Sequence, residues 1–118
     1  MARNVFVSYA TRDRARIGPL LDRLRRQRVI SADDNVFVDN ASFAEGDDFR
    51  GAARAAIKDA DTVLVLWSPA AAESKWVNYE LAMADALGKH LVVVQSKGEA
   101  AELPIDTRSI ELLEVSGA

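Results

Sequence analysis

Residues 62–68 read TVLVLWS, a nearly unbroken apolar run set between polar neighbours. Successive side chains of a strand point to opposite faces. A strand with apolar residues at both alternating positions must therefore be covered on both faces, as the inner strands of parallel sheets are. Two covering layers imply amphipathic helices on either side of it in the chain.

The flanking sequence supplies them. The spacing of Ile17, Leu20, Leu21 and Leu24 predicts a helix over 14–27, with Pro19 near its first regular turn. Asp47 or Asp48 is placed to cap a second helix, in which Phe49, Ala52, Ala53, Ala56, Ile57 and Ala60 follow the helical period. Ser74 is placed to cap a third, over 74–87, which Gly88 ends. Further apolar runs at 4–9, 35–39, 90–95 and 109–115 read as strands, with 40–48 and 68–73 as loops and 96–109 weakly patterned. The alternation implies a flavodoxin-like α/β fold: a five-stranded parallel sheet with helices on both faces. A chain of 118 residues fits a single domain, and it ends soon after the last strand, as one N-terminal domain of a longer protein would.

Composition removes several chemistries. There is no cysteine and one histidine, His90, which excludes thiol chemistry and leaves too few ligands for a zinc site or a Ser-His-Asp triad. The net charge of −3 argues against a dedicated nucleic-acid binder, although Arg23, Arg25, Arg26 and Arg28 cluster locally. Arg12, Asp13 and Arg14 interrupt any leader-like run, and the apolar runs are too short to span a bilayer, so a cytoplasmic domain without membrane contact is expected. No G-x-G-x-x-G follows a strand, no P-loop is present, and the first strand lacks the paired acids of a response-regulator receiver.

One carboxylate stands out. On a helical wheel at roughly 100° per residue, Asn78 and Asp85 make the polar side of 74–87, while Trp76, Met83, Ala84 and Leu87 make the side a core would accept. Glu80 falls on that second side, one turn after Trp76. Its helix follows the third strand, so both residues point toward the ligand-binding edge of a parallel sheet. A single carboxylate beside an aromatic suits cleavage of an N-glycosidic bond to a pyridinium. The sugar becomes oxocarbenium-like, nicotinamide leaves as a neutral molecule, and no general acid is needed. The plain alternative is a structural acid paired with a Lys or Arg.

In order and spacing, VFVSYATRDR, VFVDNASFAEGDDF and TVLVLWSP followed by SKWVNYELAMA resemble the Toll/interleukin-1 receptor (TIR) domain family of the bacterial type, over nearly the whole chain. The resemblance implies NAD⁺ as substrate rather than cofactor, release of nicotinamide, and Glu80 as the catalytic residue. It implies that Tyr9, Ala10, Arg12, Asp39, Ser68 and Trp76 line the pocket. Phe43, Glu45, Gly46 and Asp47 would belong to the BB loop, through which domains assemble head to tail. It further implies a fused or partnered sensor module and a setting in antiphage defence. Some catalytic members carry Arg where this chain has Ala10, and the family's C-terminal Phe-Trp pair is absent. Two other readings stay open: a non-catalytic TIR scaffold, and a nucleoside-processing enzyme of similar topology whose Glu attacks a deoxyribose.

Overall fold

A computed structural model describes residues 3–38, 49–96, 103 and 110–115, with only the backbone of 49–53. Its elements are β1 (Asn4–Ser8), a 3-10 turn (Thr11–Asp13), α1 (Arg14–Arg26), β2 (Asn35–Val38), α2 (Phe49–Asp59), β3 (Thr62–Leu66), α3 (Pro69–Glu73), α4 (Lys75–Ala86), β4 (His90–Ser96) and β5 (Glu111–Val115). The strands form one sheet in the order β2-β1-β3-β4-β5, and every pairing is parallel. This is the flavodoxin-like order.

Strand alternation sorts the core into two layers. Val5, Val7, Leu64, Leu66, Val92 and Val94 face Ile17, Leu20, Leu21 and Leu24 of α1. Phe6, Val63, Val65 and Val93 face Ile57 of α2 and Val77, Leu81 and Ala84 of α4. All five residues of β3 are buried, as its unbroken apolar sequence requires. The edge strands are wetter. On β2, Phe37 is 50% exposed and keeps one face covered by stacking on Phe6, with ring centroids 5.5 Å apart. No helix among the described residues is long and apolar enough to cross a membrane.

Three local expectations are corrected. Residues 69–73 form a short helix rather than a loop, because Pro69 suits a first helical position and the Ser68 side chain accepts the Ala71 N–H. α1 begins at Arg14 rather than near Pro19. Both Pro19 and Ala15, whose carbonyl loses its usual helical donor, are exposed, so water can replace the missing bond. The buried seam of α4 is Val77, Glu80, Leu81 and Ala84, rotated from the expected Trp76, Met83, Ala84 and Leu87. Leu87 is 44% exposed and Trp76 and Met83 are half-buried. The expected caps Asp47 and Asp48 lie outside the described residues.

At the amino edge of the sheet, Asp34 ties the start of β1 to the segment before β2. Its carboxylate accepts the Ser31 N–H at 2.8 Å, the Arg3 N–H at 3.1 Å and the Arg3 guanidinium at 3.1 Å. The Ser31 N–H leads in holding its pKa below the usual 3.8, helped by the Arg3 N–H and guanidinium and opposed by burial. A depressed folded-state pKa stabilises the fold fully above the unfolded value and progressively less as pH falls through the folded one. Asp34→Asn is therefore expected to cost about 1.5–3 kcal/mol near neutrality. Urea titrations from pH 7 downward should show the gap between the two proteins closing only below about 4.

Gly18 and Gly88 should respond oppositely to alanine. Gly18 lies inside α1 with nothing within 4 Å of an added Cβ, so Gly18→Ala should stabilise by about 0.5–1 kcal/mol. Gly88 ends α4 at φ +67°, so Gly88→Ala should destabilise by about 1–2 kcal/mol. Thermal melts of both variants check the pair.

Candidate active site

The chain leaves β1 toward β2 on one side and has β3 on the other, so the switch point of the sheet lies between β1 and β3. Loops diverge there, and ligands of open parallel sheets bind beyond the strands' carboxyl ends at that crevice. Ser8 closes β1 at this point. Phe6 of β1, and Ala10 just beyond the strand, lie in the α2/α4 layer, and alternation puts Ser8 on that same face.

α4 descends onto it. Its start is fixed by the Ser74 side chain, which accepts the Val77 N–H at 3.2 Å. The Asn78 amide donates to the carbonyls of Ser74 at 2.8 Å and Ala72 at 3.2 Å, fastening α3 to α4. With the helix so anchored, Glu80 enters the apolar layer and is fully buried. The Ser8 hydroxyl donates to Glu80 Oε1 at 2.7 Å across 72 residues of sequence. A hydroxyl can supply such a bond without neutralising the carboxylate's charge.

On the opposite face a second polar group joins the ends of β3 and β4. Ser68 donates to Asp13 Oδ2 in a short hydrogen bond. Asp13 Oδ1 accepts from Arg16 at 3.1 Å, and Arg16 in turn donates to Ser96 at the end of β4. Asp13 is buried, so its partners replace the water it has lost. This network welds the loop after β1 to the loop after β3.

The residues expected to line a pocket are dispersed. Ser68 and Ala10 are buried near the carboxyl edge, Ser68 within the Asp13 network and Ala10 in the α4 layer. Tyr9 packs into the α1 layer, on the other face from Glu80. Arg12 is exposed and pairs with Glu73 of α3 at 2.9 Å. Trp76 is half-buried and stacks on Tyr79, with ring centroids 5.4 Å apart, and the Tyr79 hydroxyl accepts from Arg54 at 3.4 Å. Asp39, Phe43, Glu45, Gly46 and Asp47 lie outside the described residues.

Three participants escaped the sequence reading. Ser8 ends a strand and Asp13 stands in a polar turn, positions where either residue type is ordinary, and only the fold shows both buried. Trp67 ends the apolar run just past β3, and its indole N–H is buried with no hydrogen-bond partner among the described residues. A buried unpaired donor costs about 1–3 kcal/mol, so its presence near this edge is notable. Among the described residues no three His, Asp or Glu side chains gather as metal ligands.

Two cavities lie elsewhere. One of about 390 Å³ is bounded by Asn4, Phe6, Phe37, Ala56 and Asp59, and one of about 320 Å³ by Arg3, Arg25, Arg28 and Ile30. Their linings include Asn4 and Asn35 at the starts of β1 and β2, and Arg3 just before β1. The crevice rule and the buried carboxylate outweigh cavity size in placing the site at the carboxyl edge.

A parallel α/β sheet of this order is a doubly wound, flavodoxin-like architecture, with its crevice at the carboxyl edge. The chain belongs to the TIR domain family, whose match spans residues 5–117. No curated protein matches it in sequence. Among solved structures it is similar to the CMP N-glycosidase BcmB of Clostridium botulinum, with a TM-score of 0.60 and 19% identity over 96% of this chain and 89% of that one. It is also similar to a 2-desoxiribosyltransferase from Leishmania mexicana, with a TM-score of 0.58 and 19% identity. There it covers 79% of this chain and spans 64% of the other. At such identity the likeness is one of fold.

Asp13→Ala should strip the Ser68 hydroxyl and the Arg16 guanidinium of their shared acceptor. Because Asp13 and Ser68 are buried, we expect a loss of about 2–4 kcal/mol in urea unfolding. A loss below about 0.5 kcal/mol would show that the network contributes nothing to the fold.

Proposed function

We propose that this TIR domain cleaves the bond between nicotinamide and ribose in NAD⁺, with Glu80 as the catalytic carboxylate. The observation that carries the reading is a fully buried acid at the switch point of a TIR-family sheet, one of whose oxygens accepts a hydrogen bond from the Ser8 hydroxyl. In the proposed step the C1′–N1 bond breaks and its electron pair returns to the pyridinium ring, so nicotinamide departs neutral. The Glu80 carboxylate stabilises the positive charge left on the sugar, as preorganised charges do in water-poor sites. Attack on C1′ by water, with loss of its proton, gives ADP-ribose; attack by the ligand's own adenine gives a cyclic product.

Burial of Glu80 has a kinetic consequence. A substrate reaches the carboxylate only when the elements over it shift, so the described conformation corresponds to a resting chain. Head-to-tail self-association, with the segment around Phe43 to Asp47 completing a neighbour's pocket, is the proposed route to the open state. A partnered sensor module that drives association in antiphage defence belongs to the same proposal.

A second reading has its own support. The two structural relatives named above are a CMP N-glycosidase and a 2-desoxiribosyltransferase. A carboxylate in this position would serve a nucleoside or nucleotide as well, with Glu80 attacking the sugar carbon.

The test is nicotinamide release from NAD⁺ across a wide protein concentration series, with CMP and deoxynucleosides run in parallel. Release should rise faster than linearly with protein, and Glu80→Gln should lower it by about 10²- to 10³-fold. Base release from CMP or a deoxynucleoside, with NAD⁺ untouched, would replace the first reading with the second. Silence on every substrate by associated protein would leave a scaffold.

A further inference from the structure

Ser8 closes β1 at the switch point and is itself fully buried, as is Glu80. A hydroxyl at that position in an apolar layer carries a desolvation cost unless it is bonded. Its hydrogen goes to Glu80 Oε1 at 2.7 Å, a short bond of the kind a hydroxyl makes to a carboxylate. The bond joins the most rigid part of the fold, a strand flanked by β2 and β3, to the acid on α4. A carboxyl group has one rotation left once its helix is packed, and a fixed donor on one oxygen selects its orientation.

We propose that Ser8 is the positioning residue for the Glu80 carboxylate, orienting it and keeping it ionised for the charge that develops on the sugar. The proposal rests on the glycosidic reading of the site. Ser8 acts through Glu80 and touches no reacting atom. It works as a donor to the charged form of the acid, which that form accepts more strongly than the neutral one.

The described ionisable groups on the elements around Glu80 are few. On the elements packed against α4, β1 and β3 carry no ionisable residue, and His90 of β4 is exposed at the far edge. The described ionisable groups of α2 (Arg54, Lys58 and Asp59) and Glu73 of α3 are exposed, as are Lys75 and Asp85 of α4, while Tyr79 is half-buried. Glu80 is thus the one buried ionisable group among the described residues of this face.

The experiment measures kcat against pH for wild type, Ser8→Ala and Ser8→Thr, each checked for folding by circular dichroism. It also follows the Glu80 carboxyl titration by carbon-13 NMR without substrate. For Ser8→Ala we expect kcat to fall at least tenfold and the acid limb to move up by about one pH unit, with the carboxyl titration moving alongside. Ser8→Thr, which keeps the hydroxyl, should hold the wild-type limb. A folded Ser8→Ala protein whose acid limb and carboxyl titration superimpose on wild type overturns the assignment, whatever its kcat. Wild-type protein that releases no base from any substrate overturns the glycosidic reading and the catalytic part of the proposal with it. In that case the NMR titration alone still decides whether Ser8 sets the ionisation of Glu80.

Discussion

The double coverage of β3 is the constraint on which the molecule depends. Every side chain of this strand is buried, alternately against α1 and against α2 and α4. Neither helical layer can be removed without exposing half of a central strand to water, at about 25 cal/mol for each Å² of apolar surface. The parallel pairing follows, because chain segments that lie on the faces must return to the same end of the sheet before each new strand. A crevice at the carboxyl edge is then unavoidable.

Within this apolar frame the polar residues are few and placed by layer. Ser8 and Glu80 bond on the α4 face, while Ser68, Asp13, Arg16 and Ser96 bond on the α1 face. Each group lies at the ends of strands, where the sheet begins to give way to loops. Buried polar groups that satisfy one another fix a single arrangement, since any alternative leaves a donor or acceptor dry. The two groups therefore hold the rim of the crevice rigid from both sides. The Ser8 hydroxyl thus fixes one oxygen of the buried Glu80 carboxyl against the end of β1.

Much of this was legible from the residues. Five strands, their parallel order and the alternating helices follow from apolar runs and helical periods, which are local signals. Glu80 was visible as a carboxylate on the core side of its helix, and the TIR pattern around it is shared with the family to which the chain belongs. The position of the seam on α4 was not legible. A helical wheel gives relative angles only, and Trp76 stands at its edge because stacking on Tyr79 covers the ring without deeper burial. The short helix at Pro69–Glu73 was missed because three alanines carry no periodic pattern, and its start depends on the Ser68 cap.

The sequence by itself determined which segments are strands, which are helices, and that one acid must enter the core. The tertiary structure alone decided what that acid meets. Ser8 and Glu80 stand 72 residues apart, and Ser68 and Asp13 stand 55 apart. Such pairs are brought together by strand order and register, which are set by the packing of the whole sheet. No window of sequence contains both partners, so their chemistry exists only once the chain has folded.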